Sequence, residues 1–224
     1  MTGLEPVYYL PDGSVARNST FKNTDEPRAD DFDPAEPLDY VEERWRSKNG
    51  YRLPSESEWQ YAASWRGTDT RNSEEESIVE ELAGAEQDDG ETWCWTPYDW
   101  ASGADADHED EEATAAVAWF QPHAETRRHP VGIRRPNQLG IYDMSGNVWE
   151  WTWDWQDDYP RDDKTDYRGP GQGRSRVVRG GFWNLAADGM QLGRRFRTFG
   201  PYSIHAGFPL GAGSALVSVD RLQH

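Results

Sequence analysis

The sequence has one cysteine, Cys94, in 224 residues, so no disulfide can form within the chain. Lysine is nearly missing: Lys22, Lys48 and Lys164 are the whole complement, and Lys plus Arg reach only 23 against 41 Asp plus Glu. The resulting net charge of −18 argues against nucleic acid as a partner, because phosphate binding needs a basic surface. No apolar run approaches a membrane span, and no secretory signal follows Met1. As written, the chain reads as cytoplasmic, with a surface or secreted location open if the N-terminus is incomplete. The five histidines, His108, His123, His129, His205 and His224, show no ligand spacing. No Ser-His-Asp pattern and no phosphate-cradling glycine loop occurs. The acid-rich, lysine-poor balance has two readings: adaptation to high salt, where screening removes self-repulsion, or arginine codon bias together with an acidic insertion.

Apolar residues make up 35% and aromatics 13%, with 21 Gly and 14 Pro. That composition predicts a single domain with an aromatic core and a loop-rich build. Residues 1–20 read as a hairpin turning at Pro11-Asp-Gly13, and 38–47 as a short helix. Ser55-x-x-Glu58 is a capping box after Pro54, which predicts a helix over 55–64 with Trp59, Ala62 and Ala63 facing inward. Residues 73–85 read as helical inside an acidic insertion of about 73–114, in which Asp105 to Glu112 is a solvated charge run. Residues 115–120 read as a strand, 126–136 as a basic turn-like segment, and 156–175 as a long loop. That loop leads into a strand at Arg176–Val178 and a Gly180-Gly181 turn where backbone approaches closely.

The densest signal lies at Gly140-Ile-Tyr-Asp-Met-Ser-Gly-Asn-Val-Trp-Glu-Trp-Thr-Trp-Asp-Trp155. Trp149, Trp151, Trp153 and Trp155 recur at every second residue, so in a strand they share one face, with Val148, Glu150, Thr152 and Asp154 on the other. Asp143 and Glu150 flank a glycine turn. They are either solvent-facing acids or, together with backbone carbonyls, a site for a hard cation.

Three motifs in order resemble the formylglycine-generating-enzyme, or sulfatase-modifying-factor, family. They are Asn49-Gly-Tyr-Arg-Leu-Pro-Ser-Glu-Ser-Glu-Trp-Gln-Tyr-Ala-Ala63, Asn137-x-Leu139-Gly-Ile-Tyr-Asp-Met-Ser-Gly-Asn-Val-Trp-Glu-Trp151 and Arg176-Val-Val-Arg-Gly-Gly-Phe-Trp-Asn184. The resemblance implies an α+β chain with a variant of the C-type-lectin fold: small antiparallel sheets, two or so helices and much irregular loop. It also implies a single domain over 1–224; the family's usual opening strand and helix are not matched in it, and either the sequence is a fragment or those elements are dispensable. It places structural calcium at Asp143, Gly146, Val148 and Glu150, the middle two through backbone carbonyls.

The family's oxidases hold copper with two cysteines, as expected for a soft ion. The matching positions here are Leu185 and Met190, so no copper is expected and the resemblance leans away from an enzyme. A second branch of the family binds iron through histidines that lie largely in a preceding helical domain, which this sequence does not contain. A third branch, the variable proteins of diversity-generating retroelements, keeps the fold as a display surface and rewrites the region after the Gly-Gly turn. Asn184 to Val219 contains no Lys, Glu or Trp, which suits adenine-templated rewriting, with Met190 and Gln191 outside the residues it reaches; divergence of a paralogue freed from catalysis explains it equally. The expected function is therefore a binding protein for a protein or carbohydrate ligand, with a divergent oxidase or an accessory maturation factor as the alternative. The expected binding residues are Phe182, Asn184, Leu185, Ala187, Asp188, Met190, Arg194, Phe196, Thr198, Phe199, Tyr202, Ser203 and His205. They mix aromatics with neighbouring Arg195 and Arg197, a combination that supplies binding energy at low entropic cost. Trp183 is expected in the core.

Overall fold

A computed structural model describes residues 8–9, 42–43, 52–67, 83–86, 92–162, 164–165, 167–173 and 175–197. Within them lie eight short strands: β1 Tyr8–Tyr9, β2 Glu42–Glu43, β3 Trp65–Gly67, β4 Ala83–Glu86, β5 Thr92–Trp95, β6 Glu150–Trp155, β7 Arg176–Arg179 and β8 Phe196–Arg197. Two α-helices, α1 Glu56–Ser64 and α2 Glu111–Val117, and a 3-10 turn at Ala187–Met190 accompany them. Pairing within the sheets β1-β2, β3-β5-β4 and β6-β7-β8 is antiparallel, and an isolated parallel bridge joins Trp119 to Gly146. The other described residues form loops and turns.

Helix α1 begins where the capping box places it. The Ser55 hydroxyl accepts the Glu58 N–H at 3.2 Å, and the Glu58 carboxylate accepts the Ser55 N–H at 2.7 Å, satisfying two otherwise orphaned donors. Burial alone would raise the Glu58 pKa, but a two-pronged bond from Arg52 and the Ser55 N–H hold it below the usual carboxylate range. Trp59, Ala62 and Ala63 are buried, as the spacing predicts.

Three local expectations are corrected. Tyr8–Tyr9 pairs with Glu42–Glu43, while the expected hairpin turn at Pro11-Asp-Gly13 lies outside the described residues. Glu42–Glu43 is therefore a strand inside the stretch expected to be helical. Ala83–Glu86 is also a strand, at the end of the expected 73–85 helix. Of the expected strand at 115–120, the first half is the end of α2, and only Trp119 forms a β-bridge, to Gly146. The start signal of α2 is the acidic run: the Asp110 side chain accepts the Ala113 N–H at 2.9 Å, and Glu111 and Glu112 occupy the first turn, where the helix dipole favours negative charge. Part of the acidic stretch also builds the core, since Trp100, Ala101 and Ala104 are buried.

The core divides into two clusters. Ala101, Ala104, Ala115, Val117, Ala118, Phe120, Ala187 and Met190 form one. Trp59, Ala62, Ala63, Met144 and Leu192 form the other. Alanine is commoner in both than the aromatic side chains the composition predicts, and small side chains let these short elements approach closely.

Candidate functional site: the tryptophan strand and the Gly-Gly turn

The side chains of β6 alternate from Glu150 to Asp154 with the polar face turned inward, and Trp155 is buried as well. Glu150, Thr152 and Asp154 are 3%, 0% and 2% exposed, whereas Trp151 and Trp153 are half-buried. Each buried polar group ties β6 to α1 or β7. Glu150 Oε2 accepts the Trp59 indole N–H of α1 at 2.5 Å. The Thr152 hydroxyl donates to the Val177 carbonyl of β7 at 3.0 Å. Asp154 Oδ2 accepts the Glu56 N–H at the start of α1 at 2.7 Å. Desolvation, with the neighbouring Glu56 charge adding to it, pushes the Asp154 pKa up to about 6.

An ion cluster anchors the segment after the Gly-Gly turn to this scaffold. The buried Glu56 carboxylate takes two bonds from Arg195, at 2.6 and 2.7 Å. It also lies 3.6 Å from the Arg179 guanidinium and accepts the Tyr159 hydroxyl at 3.1 Å. Arg179 is 1% exposed and packs 4.7 Å from the Trp59 ring centroid. It donates to the Gln60 side chain and, at 2.5 Å, to the Arg194 carbonyl.

Close backbone approach requires the glycines. Gly181 has φ +75°, and a Cβ there would lie 2.4 Å from the Gly189 carbonyl oxygen. Gly146 has φ +78°, and a Cβ there would lie 2.4 Å from the Trp119 carbonyl oxygen. Its N–H donates to the Gly180 carbonyl at 2.7 Å, joining the two motifs. Asn147, also at positive φ, turns its amide onto the His129 peptide, accepting its N–H and donating to its carbonyl at 3.0 Å each.

Around this junction four aromatic rings meet. Trp149 lies 4.5 Å from Phe182 and 6.0 Å from Phe196 between ring centroids, and Phe182 lies 5.7 Å from Trp183. All four are half-buried. Trp183, expected in the core, is thus at the surface of this cluster, with its N–H bonded to the Asn147 carbonyl.

The expected binding residues divide accordingly. Phe182 and Phe196 join the cluster. Asn184, Asp188 and Arg194 are exposed, the last two paired at 2.7 Å. Ala187 and Met190 are corrected: at 6% and 0% exposure they belong to the core, because the 3-10 turn points them inward, and Leu185 packs against the same cluster. Thr198, Phe199, Tyr202, Ser203 and His205 lie outside the described residues. Trp149 was missing from the expected set. Its place at the head of the indole series, directly before β6, was the available signal.

Of the expected calcium positions, Asp143 and Glu150 are both buried. Asp143 Oδ2 accepts the Gly132 N–H at 2.7 Å, and Oδ1 lies 3.4 Å from the Asn147 amide. Among the described residues no Arg or Lys pairs with Asp143, and no group of three or more His, Cys, Asp or Glu side chains gathers. Two carboxylates and backbone carbonyls are the oxygen donors a hard cation takes.

Small antiparallel sheets, two helices and long ordered loops around the tryptophan strand define the C-type-lectin-like architecture of formylglycine-generating enzymes. A sequence model of the sulfatase-modifying factor enzyme 1-like domain matches residues 35–208, and the chain belongs to that family. The formylglycine-generating enzyme of Streptomyces coelicolor is 33% identical over 153 residues, 62% of this chain and 37% of that protein. Chaperone protein LppX of Paenibacillus barcinonensis is 33% identical over 138 residues, 60% of this chain and 39% of its own length. The chain therefore spans under two fifths of these relatives. Among solved structures, Treponema denticola variable protein 1 superposes with a TM-score of 0.58 at 29% identity, over 88% of this chain and 58% of that one.

Proposed function

We propose that this chain is a non-catalytic binding protein whose ligand, a protein or a carbohydrate, docks on the aromatic cluster of Trp149, Phe182, Trp183 and Phe196. The observation that carries the reading is the half-burial of four rings from three separate stretches of chain, rimmed by exposed Asn184, Asp188 and Arg194. Aromatic anchors with a polar rim are the usual anatomy of a binding surface. The likeness to a variable protein supports it. So do Leu185 and Met190, apolar residues packed against a core cluster at the positions where family oxidases place copper-binding cysteines.

Under this reading the scaffold holds still while the exposed positions after the Gly-Gly turn set ligand choice. Calcium held by Asp143, Glu150 and the carbonyls of Gly146 and Val148 would stiffen that scaffold. Calcium should then raise the melting temperature and a chelator should lower it; no change with either removes the metal from the account. The likeness to a chaperone favours a protein over a glycan as ligand. The test is selection of binders from a displayed random-peptide library, alongside a glycan array. Binders lost on Phe182→Ser in a folded variant support the surface; binders retained place the site elsewhere.

A further inference from the structure

We propose that a second copy of this chain docks on the loop over residues 126–135 and on the acidic run beside it, forming a two-fold dimer. This face contains none of the four rings of the aromatic cluster.

The loop is pre-shaped. The Asn147 amide clamps the His129 peptide, Asp143 accepts the Gly132 N–H, and the Arg135 N–H donates to the Ala116 carbonyl at 3.0 Å. Trp119 is sandwiched between the His129 ring, stacked at 3.7 Å, and the Arg134 guanidinium at 3.6 Å. A segment held this firmly loses little entropy on binding. What it presents is unusual for a solvated loop. Val131 and Ile133 are 42% and 59% exposed, between the arginine pairs Arg127-Arg128 and Arg134-Arg135.

The occupant follows from the charges next to it. Arg135 bonds Asp105 at 2.6 Å, and His123 lies 3.9 Å from Glu111. The basic loop is thereby fixed against a run in which Asp105, Glu109, Asp110, Glu111 and Glu112 are exposed or half-exposed. A basic loop carrying an exposed apolar pair, tied side by side to an acidic run, is self-complementary under a two-fold axis. An isologous interface requires that property. Val131 and Ile133 then meet their own copies near the axis. Arg128, and Arg127 by exchanging its exposed pairing with Glu125 at 2.9 Å, face the partner copy's acidic run, and the reverse holds across the interface.

Net charge sets the conditions. Two chains at −18 repel at long range, whereas contact pairs and apolar burial act at short range. Sedimentation velocity of the full chain in about 10 mM, 150 mM and 1 M sodium chloride, where the screening length is about 30, 8 and 3 Å, reads the balance directly. Association should be weakest at the lowest salt and should persist at the highest. Val131→Ser with Ile133→Ser should weaken it about tenfold or more. Arg127→Glu with Arg128→Glu should weaken it at intermediate salt, and adding Glu109→Arg and Glu112→Arg to the same chain should restore it. All these positions are on the surface, so unchanged melting separates a lost contact from a lost fold. A monomer at every salt, a dimer indifferent to the serine pair, or no rescue by the second charge reversal overturns the proposal.

Discussion

The two faces of β6 do different work. The polar face, Glu150, Thr152 and Asp154, is closed to solvent, and each side chain ties β6 to α1 or β7. The indole face leaves Trp151 and Trp153 half-buried and continues through Trp149 into the aromatic cluster. Arg176 reinforces it, lying 4.3 Å from the Trp153 centroid and 3.7 Å from that of Trp155. Directional bonds fix the positions of short elements that bury too little apolar surface to fix themselves. Flat rings, by contrast, offer area to a partner without losing many rotamers. On the proposed reading, one face of β6 holds the scaffold and the other leads into the ring cluster that a ligand would meet.

The largest effects should come from the polar side. Glu56→Ala leaves Arg179 and part of Arg195 buried without their carboxylate, and should cost about 3–5 kcal/mol of unfolding free energy in denaturant titration. A loss under about 1 kcal/mol would mean the cluster only decorates the fold. Asp154→Asn comes next. The folded-state pKa of Asp154 lies above its unfolded value, so the folded state binds the proton more tightly. Stability is therefore greatest below about pH 4 as far as this group is concerned, and falls as pH rises toward about 6. The loss at pH 7 is on the order of 2–3 kcal/mol. Asparagine keeps the bond to the Glu56 N–H without the charge, so the variant should melt higher than wild type at pH 7 and match it near pH 4. Parallel melting curves across that window would remove Asp154 as the pH-sensitive group.

Ser55→Ala removes half the capping box and should cost about 1 kcal/mol. On the other face, Phe182→Ser should cost less stability than Glu56→Ala, because the ring is only half-buried. A Phe182→Ser loss as large as that of Glu56→Ala would make the aromatic cluster part of the core and erase the contrast between the faces.

The sequence made some of this legible and hid the rest for physical reasons. Helix α1 was readable because its stop and start signals are local: Pro54, Ser55 and Glu58 meet within one turn. The alternation of β6 was equally local, but which face turns inward was not, since that depends on Trp59, some ninety residues away. Helix α2 was missed because Ala115 to Phe120 looks like a buried strand once its acidic cap at Asp110 is read as mere charge. Ala187 and Met190 were assigned to the surface by position after the Gly-Gly turn, and only the 3-10 geometry shows them buried. The Glu56–Arg179–Arg195 cluster joins three distant segments and leaves no periodic trace.

On the proposed reading, exposed residues after the Gly-Gly turn choose the ligand while buried ones hold the fold. Sequencing this gene from many independent clones of its source tests it most directly. We expect substitutions to concentrate at exposed Asn184, Asp188 and Arg194 and to spare buried Ala187, Met190 and Leu192. Substitutions spread evenly over exposed and buried positions, or a segment no more variable than the rest of the chain, would contradict it.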